Sequence, residues 1–334
     1  MRTLITGGAG FIGSHLARAL LEAGHEVFVL DNLSTGSIDN IEPLKSHPGF
    51  DYAIDTITNE PVLAEHIDRS DVVFHLAAAV GVQLIVEEPV HTIETNVNGT
   101  EAVLRHAVKK RKLVVIASTS EVYGKSTAIP FHEDTELVLG STRQHRWAYA
   151  CSKAIDEFLG LAYHRQRGLP VVVGRFFNVV GPRQVGAYGM VIPRFVDQAL
   201  DGGPVVVYDD GSQIRCFAHV HEVVNSILGL MDEPGAAGSV FNIGSDQPVS
   251  IRQLAERVVA KVGGEIPIEH IAYSEAYGED CEDIQRRVPE VDKLEQAIGS
   301  KPSMTLDEIL DDIIAWRRAG RSDGDARAES GEQV

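Results

Sequence analysis

The sequence predicts an α/β protein, a doubly wound parallel sheet with a smaller C-terminal α/β lobe. Three observations predict it. Short β-branched runs alternate with longer helical patterns through the first half of the chain. A glycine-rich turn, Gly7-Gly8-Ala9-Gly10-Phe11-Ile12-Gly13, joins the first such run to the first helical pattern. Past Asn178 the character changes, as Pro182, Gly186, Gly189, Pro193, Gly202, Gly203 and Pro204 break the chain into shorter pieces.

Taken in order, strands are predicted over 3–6, 26–31, 51–55, 72–77, 113–119 and 171–177, each a short β-branched or aromatic run. Helices are predicted over 11–23, 93–109 and 149–166, where apolar residues recur at helical spacing. A helix over 220–231 and a strand over 240–243 then return to the main sheet, with a further strand at 205–208. The domain reading follows: 1–178 with 220–245 forms the sheet domain, and 179–219 with 246–320 forms the lobe. Residues 321–334, rich in Gly, Ser, Asp and Glu, are expected to be a disordered tail.

Composition narrows the function classes. With 334 residues, 44% of them hydrophobic, the chain can bury a full core. No apolar run approaches the ~18 residues of a membrane span. Arg2-Thr3-Leu4-Ile5-Thr6 runs straight into the glycine turn, which predicts no signal peptide. Three scattered cysteines, Cys151, Cys216 and Cys281, offer neither a disulfide framework nor metal-ligand spacing, so the expected compartment is the cytoplasm. A formal charge of -18 argues against a nucleic-acid partner. It also requires that an anionic substrate be held by a few placed arginines.

The glycine turn has the spacing G-x-x-G-x-x-G at Gly7, Gly10 and Gly13. The first glycine permits a tight turn, the second lets backbone approach a pyrophosphate, and the third lets helix and strand pack closely. The helix N-terminus then meets the phosphate charge. Asp31 closes the second strand about 20 residues on, where a carboxylate would bond the adenosine ribose and repel a 2′-phosphate. Asn32-Leu33 supplies no arginine for such a phosphate, so the cofactor reads as NAD rather than NADP. Asp55 fits either an adenine-side contact or a helix cap.

Tyr149 and Lys153 stand at i and i+4, on one face of a helix. A phenol with an ordinary pKa of about 10 is a poor base at neutral pH. A neighbouring ammonium and the cationic nicotinamide would favour its phenolate. His219-Val220-His221 alternates like a metal pair but has no third ligand nearby, and no metal is expected.

These pieces together resemble the extended short-chain dehydrogenases, the NAD-dependent epimerase/dehydratase group, up to about Arg318. The resemblance is carried by Thr6 to Gly13, His75-Leu76-Ala77-Ala78, Asn96-Val97-Asn98-Gly99-Thr100, Tyr149/Lys153, Arg175-Phe176-Phe177-Asn178 and Gly181-Pro182-Arg183. It implies a Rossmann sheet and a UDP-sugar partner. It also implies cofactor contacts from Phe11, Ile12, Asn32, Thr56, Leu76, Ala77, Ala78 and Asn96, and a homodimer paired through the helices over 93–109 and 149–166. Thr119 would assist Tyr149 at the sugar hydroxyl being oxidised. Asn178 would sit near the nucleotide diphosphate, with Arg194 and Val207 on the nucleotide side. Tyr277-Gly278-Glu279-Asp280, Asp283 and Arg286-Arg287-Val288-Pro289 look like the nucleotide-ribose and phosphate loop, with Arg287 at the matching arginine.

The reaction is read from Ser118-Thr119-Ser120-Glu121. Sugar 4,6-dehydratases carry an aspartate where Ser120 stands, and plain 4-epimerases usually lack an acid at Glu121. The Thr-Ser-Glu form looks like UDP-glucuronate decarboxylases and UDP-apiose/UDP-xylose synthases. Arg146 and Arg215, in their contexts, resemble the same decarboxylases and suit a carboxylate or a diphosphate. Glu121 also fits a loop cap, and Arg146 a surface ion pair. The leading expectation is oxidative decarboxylation of UDP-glucuronate through a 4-ketone, giving UDP-xylose or the 4-keto-pentose. A nucleotide-sugar 4-epimerase is the alternative, and a non-catalytic NAD or nucleotide-sugar sensor a third, which the intact Thr119, Tyr149 and Lys153 oppose.

Overall fold

In the computed structural model, residues 1–80, 88–144, 146–186, 190–272, 275 and 284–330 are described. Seven parallel strands make the main sheet: β1 (Arg2–Thr6), β2 (Glu26–Asp31), β3 (Phe50–Ile54), β4 (Val72–His75), β5 (Leu113–Thr119), β6 (Val171–Phe176) and β11 (Ser239–Ile243). Their spatial order is β11-β6-β5-β4-β1-β2-β3. The order reverses beside β1, between β2 and β4, which opens a crevice at the strands' carboxyl ends. Between β6 and β11 the chain makes the short strands β7 (Val179–Val180), β8 (Val205–Tyr208), β9 (Ile214–Cys216) and β10 (Ala218–His219); β12 (Pro248–Ser250) and β13 (Ile268–Ile271) follow.

Strand alternation explains why the sheet is covered on both faces. Ile5, Val29, Phe74 and Val115 face the helices Phe11–Glu22 and Val220–Asp232, through Leu16, Leu20, Val223 and Ile227. Leu4, Leu30, Val73 and Ile116 face the other way, onto Leu63, Ile67, Val103 and Leu104 of the helices Glu60–Arg69 and Pro89–Ala107. A separate core joins Phe195, Val205, Leu254, Ile309 and Ile313. There β8 pairs with β13 in parallel and β9 with β12 antiparallel.

Among the elements not expected from periodicity are the helices Glu60–Arg69, Val191–Leu200, Ile251–Val262 and Asp292–Ile298. They are short, and two of them, Val191–Leu200 and Ile251–Val262, bury their apolar faces against each other and the final helix in the lobe core. The final helix, Leu306–Ser330, corrects another expectation, since it continues through 321–330 of the supposed disordered tail. Arg, Ala and Glu in that stretch are good helix formers, and a nucleus already exists. Ile309, Leu310, Ile313 and Ile314 anchor that nucleus in the lobe core, and Arg321 pairs with Asp201 at 2.6 Å.

One buried ion pair ties β5 and β6 to their covering helix. Arg175 on β6 donates from Nη2 and Nε to Glu157 on the helix Arg146–Arg167, at 2.7 and 3.0 Å, and Ser118 on β5 donates to the same carboxylate. Both ion-pair side chains are nearly inaccessible. Removing one partner strands a buried charge, so Glu157→Ala should cost about 3–5 kcal/mol. Urea denaturation checks this; an unchanged midpoint would show that the pair does not hold these strands together.

Candidate active site

The carboxyl ends of β1, β2, β4, β5 and β6 open on a cleft of about 720 Å³, closed on its far side by residues from the lobe. Its cofactor half is shaped by glycines. Gly7 adopts φ +74, and a Cβ there would lie 2.7 Å from the amide nitrogen of Ala77. The turn therefore packs directly on the backbone that leaves β4. At Gly13 a Cβ would lie 2.3 Å from the Gly7 carbonyl oxygen, so helix and strand meet without side chains between them. Gly10 begins the helix Phe11–Glu22 with no side-chain cap, which leaves the helix N-terminus suited to an anion.

Asp31 has two tasks. Its Oδ2 accepts from the Ala9 N–H at 2.9 Å and its Oδ1 from the Leu33 N–H at 2.8 Å, so it clamps the glycine turn while lining the cleft. A carboxylate with four acceptor positions keeps capacity for ribose hydroxyls. Asn32, Asp55 and Thr56 line the same end, with Phe11, Ile12, Leu76, Ala77 and Ala78 further in. Asp55 lines the cleft and accepts from Asn59 Nδ2 at 2.6 Å; it does not cap the next helix, whose N-cap is Asn59. These features fit a bound dinucleotide: a cradle that a Cβ would fill, an uncapped helix start and a carboxylate at the ribose end.

Asn96 is a correction. Expected at the cofactor, it is buried and spends its amide on Ala79 N–H (2.8 Å), the Ala79 carbonyl and Ser152 Oγ (3.0 Å). It fixes the course of the segment after β4.

The reacting end is assembled from two elements. Thr119 closes β5 and leads into a single helical turn, Ser120–Tyr123, that carries Ser120 and Glu121. Tyr149 comes from the helix Arg146–Arg167 and shares a hydrogen bond with Thr119. Burial, and then the Glu121 charge, push the Tyr149 phenol above its ordinary range; the Thr119 hydrogen bond acts the other way. Thr119, Ser120, Glu121 and Tyr149 all line the cleft. Lys153 does not reach the cleft surface. It is 2% exposed, and its Nζ donates to Asp156 Oδ2 at 2.6 Å. Its charge is answered within its own helix, which departs from the expectation of an ammonium presented to Tyr149.

The arginines sort themselves by depth. Arg287 Nη1 lies 3.3 Å from Glu121 Oε1, so it belongs to the reacting end as well as to the segment expected to hold ribose and phosphate. Arg215 is buried, lines the cleft and donates to the Ile214 carbonyl at 3.0 Å. Arg194 lies over the Tyr208 ring at 4.2 Å and donates to the Val206 carbonyl. Asn178 lines the cleft and donates to the Cys216 carbonyl at 2.9 Å. Val207 is a second correction: strand alternation turns its side chain into the lobe core and gives the cleft Tyr208 instead. The Arg146 side chain and the segment from Tyr277 to Asp283 lie outside the described residues.

Sequence reasoning assigned no task to Arg183, Tyr208 or Gln213, which also line the cleft. Arg183 donates to Ser14 Oγ at 3.0 Å, beside the first turn of the glycine-initiated helix. Its signal was the Gly-Pro-Arg turn, which carried the resemblance but not a direction for the side chain. His219, discounted as a metal ligand, accepts from the His221 N–H as a helix cap and meets Asp312 at 3.0 Å.

Residues 3–244 match the model of the NAD dependent epimerase/dehydratase family. The chain belongs to that family. Among its relatives, UDP-N-acetyl-alpha-D-glucosaminuronate decarboxylase of Bacillus cytotoxicus is 41% identical over 323 residues, covering 96% of this chain and 99% of the relative. UDP-glucuronic acid decarboxylase 1 of Xenopus tropicalis is 34% identical over 95% of this chain and 72% of its own. The structure resembles a dTDP-glucose 4,6-dehydratase from Streptomyces venezuelae solved with NAD, with a TM-score of 0.86 and 31% identity over 96% and 98% of the two chains. It also resembles a UDP-glucuronic acid 4-epimerase from Bacillus cereus in complex with UDP-glucuronic acid and NAD, with a TM-score of 0.86 and 25% identity over 96% and 99%. The protein is an NAD-dependent enzyme of this family, with the expected Rossmann-like sheet. No helix among the described residues is long and apolar enough to cross a membrane.

The glycine cradle yields a direct test. Gly13→Ala forces a methyl against the Gly7 carbonyl, and overpacking of this kind costs about 1–3 kcal/mol. NAD affinity, measured by calorimetry, should fall at least about tenfold. Unchanged affinity would mean that the turn does not hold the pyrophosphate.

Proposed function

We propose that this enzyme decarboxylates a UDP-uronate through a 4-keto intermediate, with UDP-glucuronate as the leading substrate. The observation that carries this reading is Glu121 beside Thr119 and Tyr149, with Arg287 at 3.3 Å from its carboxylate. That arrangement puts an acid–base group and a cation where a 4-epimerase needs neither. Similarity to decarboxylases of UDP-glucuronic acid and of its 2-acetamido relative supports the reaction class. The Bacillus relative makes the 2-acetamido uronate the second substrate to try.

The chemistry follows from the side chains. NAD, held by Gly7, Gly10, Gly13 and Asp31, supplies the hydride acceptor at the sugar C4. Tyr149 takes the proton of the C4 hydroxyl, with Thr119 bonded to the same oxygen. Once C4 is a carbonyl, the C5 carboxylate is a β-keto acid. The C5–C6 bond breaks, CO₂ leaves, and the electron pair passes to the C4 oxygen as an enolate. Tyr149, now protonated, and Thr119 stabilise that oxygen. Glu121, with Ser120 beside it, takes up a proton from water and passes it to C5, while Arg287 and Arg215 balance the negative charge. Arg194, Tyr208, Asn178 and Arg146 belong to the nucleotide and its phosphates. The division into a sheet domain and a substrate lobe is the same proposal at larger scale, with the cleft between.

The cytoplasm is the proposed compartment, and a homodimer the proposed assembly. Ile155 and Phe158 on one helix and Val90 and Ile93 on its neighbour are exposed apolar residues on adjacent turns. Phe158→Glu should yield monomers in sedimentation; dimers that persist would move the interface elsewhere.

NMR of the protein with NAD and UDP-glucuronate, following the anomeric and C5 protons, tests the reaction. A UDP-pentose is expected, and UDP-galacturonate would make the enzyme an epimerase. Tyr149→Phe should abolish cofactor reduction, whereas Glu121→Gln should permit it and stall afterwards. Full turnover by Glu121→Gln would remove its assigned role.

A further inference from the structure

Four arginines line the cleft, and three of them belong to its reacting end and lobe strands. Arg287 meets Glu121, while Arg194 and Arg215 donate to carbonyls of β8 and β9. Arg183 is placed differently. It follows β7 in the turn Gly181-Pro182-Arg183, and its Nη1 donates to Ser14 Oγ at 3.0 Å. Ser14 Oγ donates in turn to the Phe11 carbonyl at 3.1 Å, so the guanidinium rests on the first turn of the glycine-initiated helix. The neighbouring residues repeat the tie, with His15 Nε2 donating to the Pro182 carbonyl at 3.0 Å. Two adjacent contacts thus lay the turn along the helix. Arg183 itself has φ +69, a left-handed conformation that is uncommon outside glycine. Gln184 closes the turn, from its N–H to the Gly181 carbonyl at 3.3 Å and from its side chain to the Val179 carbonyl at 2.9 Å. A backbone held so firmly off its usual conformation, in a cleft wall, is where a functional contact is to be sought.

The charge of Arg183 is poorly answered within the protein. A guanidinium has five N–H donors, yet among the described residues its hydrogen-bond partner is the neutral Ser14. Burial, and then the like charge of Arg18 one turn along the same helix, lower the Arg183 pKa; among the described residues no carboxylate offsets them. The cofactor half of the cleft is lined by Asp31 and Asp55, and the stretch from Gly7 to Gly13 contains no basic residue. A pyrophosphate on this helix N-terminus therefore meets backbone N–H groups, which carry only partial charge, in a half that is otherwise acidic. We propose that Arg183, aimed by Ser14, is the cation that binds the pyrophosphate of NAD, reaching it from the turn that leads into the lobe. A guanidinium adds a full charge and paired N–H donors that match phosphate oxygens. The inference rests on the cofactor cradle and is independent of which sugar is turned over.

Calorimetry on the full chain, freed of cofactor, decides the matter. Arg183→Gln should weaken NAD binding at least about tenfold, weaken ADP-ribose equally and leave UDP unchanged. The wild-type affinity for NAD should also fall more steeply with added salt than that of the variant. Arg183→Lys, which keeps the charge but not the fork, should recover part of the loss. Unchanged NAD affinity overturns the proposal. A loss confined to UDP overturns it too, because the guanidinium would then belong to the nucleotide sugar. Equal losses of NAD and UDP would make the turn a structural wall, and a loss of NAD without ADP-ribose would move the contact to the nicotinamide; either result overturns the assignment. Ser14→Ala tests the aim without touching the charge. It should weaken NAD several-fold alone and add nothing to Arg183→Gln, whereas additive losses would overturn the role of Ser14. These affinities need no turnover, so a protein inert toward every UDP-uronate would fail the substrate assignment while NAD binding still decided the role of Arg183.

Discussion

The backbone of Gly7 lies directly against that of Ala77, and the rest of the site depends on that contact. It brings the end of β1 and the end of β4 close enough to share one floor. Gly13 makes the same kind of approach to Gly7, which aims the helix N-terminus into the cleft. Asp31 then holds the turn by its Ala9 N–H while lining the same cleft. A side chain at Gly7 or Gly13 would separate these elements, and the segment from Leu76 to Ala78 would no longer line the cleft.

Behind that floor the protein solves a problem of buried charge. The helix Arg146–Arg167 carries Lys153, Asp156 and Glu157 into the interior, where an unpaired ion is costly. Each has a partner: Lys153 with Asp156, and Glu157 with Arg175. Pairing of this kind adds little net stability, but it restricts how the helix can sit against β5 and β6. Tyr149 and Thr119 come from those two elements, so the restriction is what brings them within a hydrogen bond.

The cleft also departs from the acidic balance of the molecule. The chain carries a net charge of -18, whereas Arg183, Arg194, Arg215 and Arg287 stand against Asp31, Asp55, Glu88 and Glu121 in the lining of the cleft. The arginines come from the lobe and the carboxylates from the sheet side, and low-dielectric walls strengthen each field locally. Glu121 meets Arg287 at the boundary between the two, at 3.3 Å.

Much of this was legible in the sequence. Strand alternation, the glycine spacing and Asp31 determined the sheet, the cofactor cradle and the choice of NAD, because each depends on local backbone geometry and short-range chemistry. The Thr119, Glu121 and Tyr149 constellation was legible because these residues stand in compact motifs at strand and helix ends. Only the tertiary structure decided where long or buried side chains point. It turned Val207 inward, spent Asn96 on Ala79 and Ser152, joined Arg287 to Glu121 and gave Lys153 to Asp156. The short helices of the lobe also had to await their partners. A side chain's direction is set by what packs against it from distant parts of the chain, and linear spacing carries no record of those neighbours.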